Sequence, residues 1–224
     1  MRFNNRTNTP HEINGKIIWE SRSVAVVGVI IIYQNSIPYV LVSKRGPNSA
    51  DFKGKMNLVA GYLDWNESGS EGFIREAWEE TGFNLPEHLS RLKVHLNNLD
   101  NPWSISSTPS NNLQNVSLRF GVIFELPKNE KLPELTTEHN EVEGEVEDPM
   151  WMKISDVYKY DWAFNHDKTI NSYNLYSMSY LNLKLWKITM LGIKLKIRTV
   201  KFAISSIKQK IASMFGLVKN PMEV

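Results

Sequence analysis

The chain has no cysteine. It therefore carries no disulfide and no thiolate metal site, which fits a reducing compartment. Runs of about 18 uncharged apolar residues, the length that spans a bilayer, are also missing. The opening residues MRFNNRTNTPHEINGK contain no apolar stretch of the kind found in a secretory leader, so a cytoplasmic location is expected. A strong overall charge is lacking as well: 26 Lys and Arg stand against 24 Asp and Glu, leaving +2. Net charge alone thus points to no polyanionic partner, and the distribution of charge has to be read instead. The 224 residues allow one sizeable domain and an appendage.

What the chain does have is the stretch GYLDWNESGSEGFIREAWEETGF, from Gly61 to Phe83. Ser68 followed by Glu71 is a capping-box pattern and predicts a helix start. Ile74, Ala77, Trp78 and Thr81 then recur at helical spacing and predict one buried stripe. Gly82 supplies the residue that ends such a helix in the left-handed conformation. On this helix Glu76 neighbours both Glu79 and Glu80, so three like charges crowd one side. A hard divalent cation relieves that repulsion, because Mg²⁺ and Mn²⁺ take oxygen ligands. Arg75 can pair with Glu79 one turn on, or reach back to Glu67. Taken as helix chemistry alone, the pattern also fits an acidic, solvated amphipathic helix.

The full spacing narrows the choice. Gly61, Glu67, Arg75-Glu76, Glu79-Glu80 and Gly82 stand at the intervals of the Nudix box, and the stretch resembles that motif at every charged and glycine position. Ala77 and Phe83 depart mildly, standing where Leu, Ile or Val is usual. The resemblance implies a Nudix-type α/β/α sandwich with a mixed sheet. It also implies hydrolysis of a phosphoanhydride bond in a nucleoside diphosphate linked to another group, with Mg²⁺ or Mn²⁺ as cofactor. Carried over by position, the metal ligands are Glu76, Glu79, Glu80 and the carbonyl of Gly61, while Glu67 and Arg75 brace the site. Glu71 explains itself as a helix-start residue rather than a ligand.

The rest of the chain can be placed around this unit. Val24–Tyr33 is apolar throughout and predicts a strand buried on both faces; Tyr39–Lys44 completes a hairpin with it. Asn57–Gly61 leads into the box. Leu92–Leu96, Val116–Leu126 and Met150–Ile154 read as strands, Asn97–Asn115 as a loop, and Ser155 as the cap of a short helix through Tyr160. Trp103 is expected to anchor the core rather than stack on a base, and His166 to cap or pack rather than catalyse. Lys44 and Arg45 end a strand near the box and are candidates to grip substrate phosphates. A second acidic run, Glu138–Asp148, precedes a late strand. The resemblance leaves the general base either to a box glutamate, Glu76 or Glu79, or to this loop, where Glu145 is the candidate and Glu143 a substrate contact.

Three segments are expected: residues 1–20 as a lead-in, 21–180 as the hydrolase domain, and 181–224 as a basic amphipathic helical extension. From Lys184 to Lys219 there is no acidic residue, and Ile193, Ile197, Val200, Ile204, Ile207, Ile211, Met214 and Val218 recur every three or four positions. Such a helix could dock on the domain or on a second subunit of a homodimer, lie peripherally on an anionic membrane, or follow nucleic-acid phosphates. A small nucleotide is the expected partner. The rival readings are a non-catalytic nucleotide-sensing or scaffolding module and an RNA 5′-end pyrophosphohydrolase that uses the basic tail.

Overall fold

The computed structural model describes residues 9–20, 24–110 and 113–181. The basic extension expected over 181–224 lies outside the described residues except for its first position. The chain divides into two compact units, Met1–Tyr173 and Asn174–Val224. The first holds the sheet and its flanking helices. Of the second, the described residues 174–181 are helical.

The strands are β1 (Thr9–Ile13), β2 (Lys16–Glu20), β3 (Val24–Gln34), β4 (Ile37–Arg45), β5 (Met56–Asn57), β6 (Val59–Tyr62), β7 (Lys93–Asn97), β8 (Ser104–Ser110), β9 (Leu113–Glu125) and β10 (Val146–Lys153). The helices are α1 (Gly69–Thr81) and α2 (Leu85–Arg91), followed by a 3-10 segment, Ile154–Lys159, and a helix opening at residue 166. β1 and β2 form a separate hairpin. The main sheet runs β10-β4-β3-β9-β7, with β5 on β4, β6 on β3 and β8 on β9. β3 and β9 are parallel and the other pairs antiparallel, so the sheet is mixed, as expected.

The sequence accounts for this arrangement. Val26 to Ile32 lie within the buried stretch of β3 on both sides of the pleat, which is what an all-apolar central strand requires. Asn35 and Ser36 adopt positive φ, 50° and 67°, and make the tight turn of the β3–β4 hairpin. One face of the sheet packs Val26, Ile30, Leu41, Phe120 and Phe124 against Phe73 and Ala77 of α1 and Leu85 of α2. The opposite face meets the segment 163–173: Ala163, His166, Ile170 and Tyr173 are buried, and the Tyr173 ring lies against Gly121. Helical segments thus cover both faces of a mixed sheet.

Three expectations need correction. The stretch Asn97–Asn115 is not a loop throughout: Ser104–Ser110 pairs with β9 residue by residue, because backbone ladder bonds override its Ser and Pro content. Ser155 does not cap a helix; the segment after β10 is 3-10, and Lys153 precedes it with no side-chain cap. Trp78 does not join the buried stripe of α1. It is 39% exposed, and Phe73 takes the core position instead. α2, with Asn84 as its side-chain cap, had no counterpart in the sequence reading.

Candidate active site

α1 begins as its sequence dictates. The Ser68 hydroxyl accepts from the Glu71 N–H at 3.3 Å, and the Glu71 carboxylate accepts from the Ser68 N–H at 2.7 Å. The Ser68 N–H and hydroxyl both lie 2.7 Å from the Glu71 carboxylate, and their hydrogen bonds to it hold it below its usual range. The helix ends at Gly82, with φ 68°, whose N–H donates to the Trp78 carbonyl at 2.8 Å.

Between these ends Arg75 is buried, and its donors are spread over four groups. Nε and one terminal nitrogen grip Glu67 at 3.1 and 2.9 Å, and the same terminal nitrogen donates to the Tyr62 carbonyl at 2.9 Å. The other donates to Glu76 and Glu79, both at 2.8 Å. Asp64, also buried, lies 3.7 Å from Nε. Burial works against the Arg75 charge, but the Glu67 hydrogen bond and the charges of Glu76, Glu79 and Glu67 outweigh it and raise its pKa. Glu67 further accepts from the Asp64 N–H at 2.6 Å, which locks the loop entering α1. Glu67 and Arg75 thus sit where residues that hold others in place would sit.

Glu76 and Glu80 are 9% and 7% exposed and lie one helical turn apart. Burial pushes the Glu76 carboxyl up to about 8; Arg75 opposes this, and the charges of Glu79 and Glu145 add to it. Glu80 is pushed up by burial and then by the Glu76 and Glu145 charges, against its hydrogen bond from the Ala60 N–H at 3.2 Å. Glu79 is raised by burial, with Arg75 opposing and Glu141 and Asp64 adding. Gly61 lies directly against this cluster. A Cβ there would stand 1.9 Å from a Glu76 carboxylate oxygen, so any larger residue would displace the Glu76 carboxylate from its place.

The outlying candidates separate. Glu145 is brought to the cluster: burial raises its pKa, and its charge acts on both Glu76 and Glu80. Glu143 is exposed, and its carbonyl rather than its carboxylate is engaged, by the Asn48 amide at 2.7 Å. Lys44 pairs with Glu147 and Asp148 on β10, at 3.6 and 3.9 Å. Arg45 is buried, bound to Asp51 at 2.9 Å, and its charge acts on Glu80 and Glu145. Trp103 is structural: its indole N–H donates to the Phe120 carbonyl at 3.3 Å, and its ring meets Tyr173. His166 is buried and accepts the Leu58 N–H at 3.1 Å. Burial, with the Arg119 and Arg45 charges, pushes its pKa down to about 3, so it is neutral.

Two acidic residues of this region were not singled out from sequence. Asp64 faces Arg75, and its position three residues before Glu67 was the available signal. Glu141 sits in the acidic run, and its charge acts on Glu79 and Glu145. Nothing in a run of alternating glutamates distinguishes it from Glu143.

The donor chemistry suits a hard divalent ion. Two buried carboxylates on successive turns cannot both ionise cheaply unless a cation joins them. Among the described residues, no three His, Cys, Asp or Glu side chains are already gathered as a metal cage.

A NUDIX domain is matched over residues 22–173. No curated protein matches the chain in sequence. Solved structures do. The NUDIX domain of Shewanella oneidensis NrtR complexed with ADP ribose is 17% identical, with 69% of this chain and 88% of that one covered and a TM-score of 0.50. A C. elegans Ap4A hydrolase in a binary complex is 13% identical, with coverages of 70% and 99% and a TM-score of 0.51. A bifunctional NMN adenylyltransferase/ADP ribose pyrophosphatase from Francisella tularensis, complexed with AMP and a Mn ion, is 20% identical; 70% of this chain covers 42% of that one, with a TM-score of 0.53. These identities speak to the fold, whereas the domain match spans more than half of the sequence and contains every residue of the acidic cluster: the chain belongs to the Nudix family.

Proposed function

We propose that this protein is a pyrophosphohydrolase that cleaves a phosphoanhydride bond in a nucleoside diphosphate derivative, with Mg²⁺ or Mn²⁺. The observation that carries the reading is the pair Glu76 and Glu80: two carboxylates buried together, with the Glu76 carboxylate lying directly on Gly61. Bare, such a pair is a liability; with a cation between it and a polyphosphate it is a binding site.

Glu76, Glu79, Glu80 and the Gly61 carbonyl hold the ion in this proposal. When bound, the ion neutralises phosphoryl oxygens and lowers the pKa of water. Arg75 fixes the direction of Glu76 and Glu79, and Glu67 fixes Arg75. Glu145 accepts the proton of the attacking water. Its burial keeps its pKa above the ordinary range, which suits a carboxylate that must take up a proton near neutral pH. Arg45 offsets negative charge on the Glu145 side. Two of the similar structures hold ADP ribose and AMP and a third is an Ap4A hydrolase, which makes adenine nucleotides with a phosphoanhydride the first substrates to try.

The test is release of mononucleotide from a panel of nucleoside diphosphate derivatives and capped RNA, with and without Mg²⁺ or Mn²⁺. Metal-dependent release is the expected result. Tight nucleotide binding with no turnover across the panel would replace the hydrolase reading with a sensing module.

A further inference from the structure

Trp78 is a large apolar side chain on the outer side of α1, between two residues of the acidic cluster, and it is 39% exposed. Its ring is not idle there. It stacks on His139 with centroids 4.1 Å apart and planes 15° from parallel. Close by, the Thr136 N–H donates to the Thr81 carbonyl at 3.0 Å, and Thr136 packs against Gly82. The loop before β10 is thus fastened to the last turn of α1.

Further along, the same loop is fastened elsewhere. The turn after β4 holds its backbone: Asn48 N–H to the Gly144 carbonyl at 2.9 Å, and Gly46 N–H and the Ser49 hydroxyl to the Glu145 carbonyl at 2.7 and 2.6 Å. Asn140 adds a bond to the Val146 carbonyl at 3.1 Å. Glu141 lies between the two fastenings, and its charge reaches Glu79 on the helix and Glu145 in the loop.

We propose that the Trp78–His139 stack is a clasp that positions the segment 141–145 against the acidic side of α1. Trp78 and His139 are positioning residues: neither need touch substrate. The stack fixes the helix-side end of the segment, as the β4 turn fixes the other. Without the stack the fastening to α1 would recede to Thr136, five residues before Glu141, which would let Glu141 swing from α1 and would loosen the approach of Glu145. The kinetic part of this inference rests on the hydrolase reading above; the geometric part does not.

The test uses the full chain with Trp78→Ala, His139→Ala, the double variant, and His139→Phe, which keeps a ring at that place. Amide hydrogen exchange is followed by mass spectrometry over residues 134–145 and over α1, without substrate. Exchange over 137–142 should quicken by about tenfold in either alanine variant, near the upper end for one aromatic pair, with α1 unchanged. The double variant should be no worse than either single one, and His139→Phe should behave as wild type. With Mg²⁺ and the best substrate of the panel, kcat should fall by about tenfold at little-changed KM in the alanine variants, within the range for groups that orient others. His139→Phe should restore it. Should Trp78→Ala not fold, Trp78→Phe beside His139→Ala asks the same question. Unchanged exchange in His139→Ala, a loss in His139→Phe equal to that in His139→Ala, or loosened exchange with full kcat would overturn the proposal. If the wild type turns over nothing, the hydrolase reading falls and the exchange result alone decides the clasp.

Discussion

Glu76 on α1 and Glu143 before β10 both stand in dense acidic runs, and their surroundings have little else in common. Glu76 is buried, gripped by Arg75 and raised to about 8. Glu143 is exposed and lends only its carbonyl. The first run is helical, so residues three and four apart share a side and turn jointly to the sheet. The second is irregular, so each carboxylate finds its own direction, and Glu145 turns in while Glu143 does not. Charge density therefore says where carboxylates are, and backbone geometry says which of them act together.

That contrast can be broken most sharply at Glu80. Glu80→Gln should lower kcat/KM by about 10³-fold, the scale of losing a group that acts in the transition state, while the melting temperature holds or rises because a neutral amide is easier to bury than a carboxyl that can ionise. A steady-state assay beside a thermal melt checks both halves. In the loop, Glu145→Gln should cost about 10²-fold, at the lower bound for a general base, and Glu143→Gln less than about twofold, as surface changes do. Equal losses at 143 and 145 would erase the distinction drawn here. Arg75→Met should act on the fold, destabilising it by about 3–5 kcal/mol by stranding buried carboxylates; urea titration reads this directly.

Acidity offers a finer probe. Glu76 keeps its proton in the native state up to about 8 and loses it above its ordinary value of 4.5 when unfolded. Its contribution is therefore complete below 4.5 and lost as pH rises toward 8, by up to about 1.4 kcal/mol per pH unit. His166 works in the other direction: unfolded, it binds a proton below 6.5, whereas native it resists to about 3. Stability should thus fall from pH 6.5 toward 3 on its account. Melting curves without metal should decline from pH 6.5 to 8, and millimolar Mg²⁺ should flatten that decline. No effect of Mg²⁺ on the slope would count against an ion at Glu76 and Glu80.

The helix of this site was legible because its information is local. A capping pair, a terminal glycine and glutamates at one-turn intervals all lie within a short span, and Ser68, Gly82 and the Arg75 pairs stand as read. The central strands were legible from their unbroken apolar runs. What was not legible depends on distant partners. β8 is a strand because β9 offers it a ladder, despite its composition. Lys44 and Arg45 are neighbours in sequence but part ways, since successive strand residues point to opposite faces and meet Glu147 and Asp51 respectively. Trp78 left the expected core stripe because its ring has His139 to stack on, a residue far away in the chain.

The parallel pairing of β3 with β9 carries a kinetic consequence. Val24 pairs with Val116 and Tyr33 with Glu125, and the whole of α1 is threaded between these strands in the chain. Closing so wide a loop is slow, whereas one helix can coil in microseconds. The carboxylates of α1 converge only once the helix has packed on that sheet, so magnesium should leave the rate of collapse untouched and slow unfolding instead.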